Sequence, residues 1–392
     1  MKIYDLVIVG GGVSGMTVAA SVDLKNVLLL EKEDRIGKKL LATGNGRCNL
    51  LNQNFSVEAY NDKNFVAHTF DVSGFDTVRN FFESLGLFLR FDDEGRGYPY
   101  SESASSVLDA YRRKLGKNNT EIRTSINVVS IGKEGGFFKI SSDADAFYAK
   151  NVVVATGSDA GFGTNSLQIL KNFADTDEFL PSLVPLITET ETIKGLNGVR
   201  VKCAASLISD GKRVHTEKGE ILFKSFGISG IAAFNLSAYY VRGRKKGNSF
   251  ISLNLLDTDD ETAAEELRDK AKYSDNAEAL LSGFFHKMLV QAILKYSKTD
   301  ALACPDEEKI LRLSKAVTDF RIKIKDVADK SLAQVMNGGV KTSSVNEKTL
   351  EIKGVKGLYV AGECVDVDGL SGGYNIMWAV ASALEAGKSV KA

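Results

Sequence analysis

Cysteine is sparse in this chain and never clustered. Cys48, Cys203, Cys304 and Cys364 lie far apart and form no CxxC pair. That spacing offers neither a zinc site nor a dithiol redox centre, and free thiols fit a reducing compartment. Histidine is as scarce, with only His68, His215 and His286, and none falls in a glycine motif. Each reads as a surface or packing residue. Excess charge of either sign is missing, since 50 Lys plus Arg balance 50 Asp plus Glu. A neutral chain gives no electrostatic case for nucleic acid or an anionic membrane. No stretch approaches the ~18 uninterrupted apolar residues of a membrane span, and the opening MKIYDLVIVGGG is short and broken by glycine. The expectation is a cytoplasmic protein that acts on a small molecule, with no membrane or nucleic-acid partner. Repeats at solenoid periods and low-complexity tracts are also lacking.

Glycine is abundant instead, at 36 residues against 4 prolines in 392, and it clusters in short motifs. Such clusters mark backbone packed closely against something. Asp5 to Val9 predicts a buried strand, Gly10-Gly11-Gly12 a tight turn, Val13 to Val22 a helix, and Lys25 to Glu31 a second strand. This places Gly10-x-Gly12-x-x-Gly15 after a strand and at the start of a helix. Gly10 permits the turn, Gly12 admits a pyrophosphate, and Gly15 brings helix and strand together. The helix amino terminus then faces the phosphates with its partial positive charge. Glu31 ends the second strand, where a carboxylate accepts from an adenosine ribose hydroxyl. The fingerprint alone does not separate FAD from NAD.

Three further motifs bear on that choice. Val152-Val153-Val154-Ala155-Thr156-Gly157 resembles the ATG segment of two-dinucleotide-binding flavoproteins, which passes near the adenosine of FAD. Gly357 to Glu363 (GLYVAGE) resembles their carboxyl-terminal flavin motif, whose acid meets the ribityl chain; Glu363 stands where Asp is commoner. Gly372-Gly373-Tyr374-Asn375 opens the last helix, predicted over about Asn375 to Ala386. Its N–H groups would face the flavin pyrimidine edge and stabilise negative charge there.

The residues Gly37 to Asn49 (GKKLLATGNGRCN) resemble the signature of a bacterial family of three-domain flavoproteins, the NAD(FAD)-utilising dehydrogenase-like proteins. Aminoacetone oxidase and a flavin-dependent bile-acid reductase belong to that family. Further matches are Gly95 to Pro99, Leu183 to Leu186, Gly219 to Phe223, Gly227 to Gly230, Asn337 to Val340, Gly362 to Gly369 and Gly372 to Ala379. Three positions depart from the pattern: Asn45 replaces Gly, Ile231 replaces the Pro that commonly follows Ser229-Gly230, and Met377 replaces Gln.

The resemblance implies an α/β fold with a Rossmann-type FAD-binding domain built from both chain ends. A β-rich domain and a helical subdomain are inserted between them. The expected segments are 1–181 and 337–392 for the FAD domain, 182–256 and 317–336 for the β-rich domain, and 257–316 for the helical one. FAD is the expected cofactor, with NAD(P)H as a transient electron donor. The expected cofactor shell is Gly10, Gly12, Val13, Ser14, Gly15, Glu31, Lys32, Lys39, Gly46, Arg47, Asn49, Val129, Ala155, Thr156, Gly157, Gly362, Glu363, Gly373, Tyr374, Asn375 and Ile376. Arg47 is read there as meeting the pyrophosphate. Tyr98, Tyr100 and Tyr374 are the catalytic candidates, set to line the flavin face or close the pocket. The pocket itself is expected where the inserted domain meets the flavin. Two chemistries remain open for an FAD-dependent oxidoreductase of this kind: NAD(P)H-linked reduction of an activated C=C bond, or oxidation of a small amine. The alternative is a non-catalytic FAD-binding regulatory or RNA-associated flavoprotein.

Overall fold

Two strands from opposite ends of the chain lie side by side in one sheet. In the computed structural model residues 2–72, 74–161, 163–243 and 247–391 are described. They divide into one unit made of Met1–Leu180 with Val335–Ala392, and a second made of Pro181–Gln334.

The first unit begins with β1 (Ile3–Val9), α1 (Val13–Ser21), β2 (Val27–Leu30), α2 (Lys38–Ala42) and β3 (Leu51–Asn52). It continues with α3 (Lys63–Val72), α4 (Phe75–Ser84), β4 (Leu89–Phe91), β5 (Arg96–Pro99), α5 (Ala104–Lys117) and β6 (Glu121–Arg123). The meander β7 (Val128–Glu134), β8 (Phe137–Ser142) and β9 (Ala146–Val154) follows, then α6 (Ser166–Leu170) and β10 (Thr176–Ser182).

The second unit contains β11 (Leu186–Thr188), β12 (Arg200–Ser209), β13 (Lys212–Lys224), β14 (Gly227–Ser229), α7 (Ile231–Arg242) and β15 (Ser249–Asn254). Helices α8 (Asp260–Ala271), α9 (Ala277–Ser282), α10 (Lys287–Ser297) and α11 (Glu307–Thr318) lead to β16 (Phe320–Val327). The chain returns through β17 (Val335–Val340), β18 (Leu358–Val360) and α12 (Tyr374–Ser389).

In the first unit β6, β2, β1 and β9 pair in parallel, and β8 and β7 extend the sheet antiparallel. The carboxyl-terminal half of β9 pairs in parallel with β18, from Val152↔Leu358 to Val154↔Val360. β2 and β18 are buried throughout, which is why they read as unbroken apolar runs rather than alternating ones. Small residues explain how α1 and α12 cover the sheet together. Ala19, Ala20, Ala381, Ala383 and Ala386 are buried, and a Cβ on Gly387 would sit 2.9 Å from the Ser21 hydroxyl. β10 and β17 pair with each other, so the chain leaves and re-enters this unit at neighbouring points. Glycine is required there: a Cβ on Gly338 (φ 102°) would lie 2.2 Å from the Glu178 carbonyl.

In the second unit β11, β14, β13, β12, β15 and β16 form a closed barrel. Leu207, Ile251 and Phe320 of the barrel share one apolar core with Leu267, Leu281 and Ile293 of the helices. Ile231 is the first residue of α7, after the Gly230 cap. Proline is favoured at that helical position because its missing N–H has no intrahelical acceptor there. The departure from the family pattern therefore removes a pre-set φ and no hydrogen bond.

Candidate active site

The site grows from strand ends. The Gly10 N–H donates to Leu30 O (2.8 Å), Ala155 N–H to Val9 O (2.8 Å) and Ala361 N–H to Val154 O (3.0 Å). Three turns therefore emerge together at the carboxyl ends of parallel strands, the usual crevice for a nucleotide. Gly10 has φ 108°, and a Cβ there would meet Ala155 O at 2.4 Å. A Cβ on Gly15 would lie 1.9 Å from Gly10 O, so helix and strand close up only with glycine. Gly12 is different: among the described residues nothing lies within 4 Å of the place its Cβ would take. Space is open where a phosphate would approach the amino terminus of α1.

Glu31 is committed to the turn. Its Oε2 accepts from Gly11 N–H at 2.7 Å and its Oε1 from Glu33 N–H at 2.8 Å. Each oxygen keeps a lone pair for a ribose hydroxyl. Lys32 donates to the Gly163 carbonyl. Val129 is the extra residue of a β-bulge at the start of β7. Val13 is partly buried on the first turn of α1, and Ser14 packs so tightly on Gly362 that a Cβ there would sit 2.0 Å from the Ser14 hydroxyl oxygen.

Beyond that contact lies Glu363. Its Oε2 accepts from Lys39 Nζ at 2.6 Å, an ion pair joining positions 324 residues apart. Its Oε1 is buried and has no hydrogen-bond partner among the described residues. The Thr156 hydroxyl and Asn49 Oδ1 are buried without partners as well. Buried polar atoms rarely stay unpaired, so these atoms on three segments are what a polar ligand would satisfy. With the space at Gly12, they fit the adenosine, pyrophosphate and ribityl portions of FAD.

The signature loop follows α2 and is wound left-handed. Gly44 (57°), Asn45 (54°), Gly46 (84°) and Cys48 (62°) all have positive φ. Asn is among the few side-chain-bearing residues that tolerate this region, which explains how Asn45 substitutes for the family glycine. The loop ends at Asn49, whose Oδ1 lies 2.7 Å from where a Gly373 Cβ would be. Gly373 (φ 106°) caps α12 and also packs on Leu51 O, at 2.5 Å from the same point. The N–H groups of Tyr374, Asn375 and Ile376 start the helix and have no intrahelical acceptor. The Asn375 side chain is occupied elsewhere, exchanging hydrogen bonds of 2.8 Å with the Gly369 N–H and carbonyl. Met377 is fully buried in the core of the unit.

The three tyrosines differ. Tyr98 on β5 is buried and pairs its backbone with Arg90, its hydroxyl makes no hydrogen bond to a described residue, and the Arg47 guanidinium lies 4.9 Å above its ring. Burial raises its hydroxyl pKa above the ordinary value, against the pull of Arg96 and Arg47. Tyr374 donates to Asn54 O at 3.2 Å. Tyr100 is 68% exposed with Arg90 5.6 Å above it.

Several supporting residues carry no motif. Tyr60 donates to Tyr374 O (2.9 Å), Asn52 Nδ2 to Gly372 O (2.9 Å), and Trp378 Nε1 to Gly362 O (3.1 Å). Ser382 Oγ accepts from Gly362 N–H at 2.9 Å. They clamp the glycine bends from β3, α12 and the segment before α3. Of these, only Trp378 falls in a segment that matches the family, Gly372 to Ala379. Asp366 and Asp368 tie the loop to β17 through Gly338 N–H (3.0 Å) and Asn337 Nδ2 (3.1 Å). Of the histidines, His68 bonds its own helix, His286 caps α10, and His215 stacks on Tyr239 at 3.9 Å. No group of metal-binding side chains and no helix long and apolar enough to cross a membrane occurs among the described residues.

A Rossmann-type sheet with this crevice defines a dinucleotide-binding protein, and the family and relatives that follow make it an FAD-dependent oxidoreductase. The chain matches the family described as HI0933-like protein Rossmann domain over residues 4–389, and it belongs to that family. It is 31% identical to the 3-dehydro-bile acid delta(4,6)-reductase of Clostridium scindens, over 97% of this chain and 98% of that protein. It is 28% identical to the ribosomal RNA dihydrouridine synthase of Escherichia coli, over 98% of this chain and 97% of that one. Among solved structures, the 3-ketosteroid delta1-dehydrogenase of Sterolibacterium denitrificans shares the fold, with TM-score 0.53 and 11% identity over 100% of this chain and 99% of that one.

Proposed function

We propose that this protein is an FAD-dependent reductase of a carbon–carbon double bond conjugated to a carbonyl, in a small organic substrate, with NAD(P)H as electron donor. The observation that carries the reading is Tyr98: buried, its hydroxyl held protonated and without a hydrogen-bond partner among the described residues, and joined through β5 and β3 to the start of α12. A protonated, unengaged hydroxyl suits a carbonyl oxygen that gains negative charge during reduction. The two relatives support the same chemistry, since a delta(4,6)-reductase and a dihydrouridine synthase each add two hydrogens across a C=C bond.

FAD, when bound, supplies the hydride for the β-carbon of the substrate. The chain does the rest. The glycine turn and Glu31 hold the adenosine half, Glu363 and Thr156 the middle, and Asn49 with the first turn of α12 the ring end. Tyr98 donates a hydrogen bond to the substrate carbonyl, and the α-carbon takes its proton from solvent. A uracil ring offers an equivalent enone-like bond. The even charge balance of the chain lacks the cationic excess that a ribosomal RNA substrate would favour, which supports a free small molecule. Tyr98→Phe tests the reading. Enone reduction should fall by about 100-fold, as for loss of one oxyanion donor, while flavin reduction by NADPH keeps its rate. Equal loss in both half-reactions, or none, would refute the role.

A further inference from the structure

We infer that Lys39 is a positioning residue for the cofactor: it neutralises Glu363 beside the phosphate approach, so that a site built around a carboxylate can take up a diphosphate. The inference concerns the loading of FAD and holds whichever substrate the enzyme reduces.

Two demands on Glu363 conflict. Gly362 packs against the first turn of α1, where its Cβ would sit 2.0 Å from the Ser14 hydroxyl oxygen, and Glu363 is the next residue. The open space at Gly12 belongs to the same turn, so the dianionic diphosphate of FAD and the Glu363 carboxylate come together there. Like charges repel strongly where water is excluded. Yet the carboxylate is needed as an acceptor, since its Oε1 is buried and unpaired among the described residues. Lys39 reconciles the two. Its Nζ donates to Oε2 at 2.6 Å, with the lysine side chain 37% exposed and the glutamate 18%. Oε2 is committed to the cation, and Oε1 stays open to a ribityl hydroxyl.

Helix α2 is set to present this lysine. The left-handed Gly37 (φ 76°) caps it, a Cβ there would meet Leu108 at 2.5 Å, and Leu40 is buried. Successive lysines then take different partners. Lys38 pairs with Glu33 and Asp34 nearby in the chain, and Lys39 with an acid 324 residues away. The turn after β9 bounds the carboxylate on another side. A Cβ on Gly157 would lie 4.0 Å from Glu363 Oε2, and the Thr156 hydroxyl is buried and unpaired among the described residues. Glutamate is one methylene longer than the aspartate commoner in this motif, and that length spans from the Gly362 bend to Lys39. The pair is asymmetric in its consequences. Removing one partner leaves an uncompensated charge, whereas removing both is close to neutral. That asymmetry separates a lysine that neutralises the acid from one that binds phosphate itself.

The test titrates full-length apoprotein with FAD, followed by flavin fluorescence, and with ADP, which carries the diphosphate but no ribityl chain. Lys39→Met should weaken FAD by roughly 30-fold or more, as facing like charges do, and ADP with it. Glu363→Gln loses the charge, keeps an acceptor oxygen, and sets the reference affinity. The double variant Lys39→Met/Glu363→Gln should bind FAD as well as that reference. Lys39→Arg should keep most of the wild-type affinity. Melting curves of the apoproteins show which chains are folded; if Lys39→Met is not, the double variant and Lys39→Arg decide. A double variant that binds FAD far more weakly than Glu363→Gln gives the lysine to the phosphates and overturns the inference. Unchanged affinity in Lys39→Met overturns it too. A loss for FAD without a loss for ADP confines the pair to orienting the ribityl contact and ends the neutralising role.

Discussion

Glu31→Ala separates two jobs that one carboxylate performs. The fingerprint gives Glu31 to the adenosine ribose, but the side chain also holds the glycine turn, at 2.7 Å from Gly11 N–H and 2.8 Å from Glu33 N–H. Hydrogen bonds to a charged acceptor contribute about 1.5–3 kcal/mol each. Gly11 is buried and loses its acceptor outright, whereas Glu33 is partly exposed and water replaces much of its bond. The apoprotein should therefore lose about 2–3 kcal/mol, which lowers its melting temperature by roughly 4–12 °C for a domain of this size. Loss of the ribose bond adds about 1–3 kcal/mol to FAD dissociation, or a rise in Kd of about 5- to 140-fold. Glu31→Gln should rescue each effect only in part, because its amide nitrogen would face one of the two N–H donors while its carbonyl oxygen accepts from the other. Thermal melts of apoprotein and FAD titrations by fluorescence give the two numbers separately. If the alanine variant melts within about a degree of the wild type and keeps its FAD affinity, the carboxylate holds neither the turn nor the ribose.

Gly12→Ala should leave apoprotein stability unchanged, since a Cβ there touches nothing within 4 Å, yet weaken FAD binding at least tenfold by filling the phosphate approach. Gly15→Ala should fail in both assays, because its Cβ would lie 1.9 Å from Gly10 O. Burial pushes the Cys48, Cys203 and Cys364 thiols up to about 12, while Cys304 is exposed. Native protein at pH 8 should thus show one fast-reacting thiol, and unfolded protein four; three fast thiols in the native state would contradict the packing. Folded pKa values raised above those of the unfolded chain give stability that is complete below about pH 9 and is lost as pH rises toward 12. Melting temperature should accordingly decline on alkaline titration from pH 9 upward.

What the sequence made legible was backbone-determined. Gly10, Gly15 and Glu31 act within a short βαβ unit, where turn geometry dictates residue type. The apolar runs at Val152 to Val154 and Leu358 to Val360 read as buried strands because both faces of a parallel sheet are covered. That the flanks carrying those runs meet was legible from the cofactor motifs, which lie only before Thr164 and after Gly354; the register of the pairing was not. Closure of the barrel by Phe320–Val327, after four helices, depends on non-local pairing that no local pattern records. The clamps from Tyr60, Asn52 and Ser382 on the glycine bends are tertiary contacts between ordinary residues. Asn45 and Ile231 looked like defects in a motif, and dihedral angles and helix position explain both. The stacking of Arg47 on Tyr98 and the unpaired Asn49 Oδ1 were not legible in the sequence.

The most direct test of the account is a single-turnover experiment. The holoenzyme is reduced anaerobically with one equivalent of NADPH and mixed with a 3-oxo-4-ene steroid. The account predicts that flavin absorbance returns as the enone absorbance is lost, one for one, without oxygen. A reduced flavin that persists in the presence of the enone, and reoxidises rapidly only when oxygen or an imine is supplied, would contradict it.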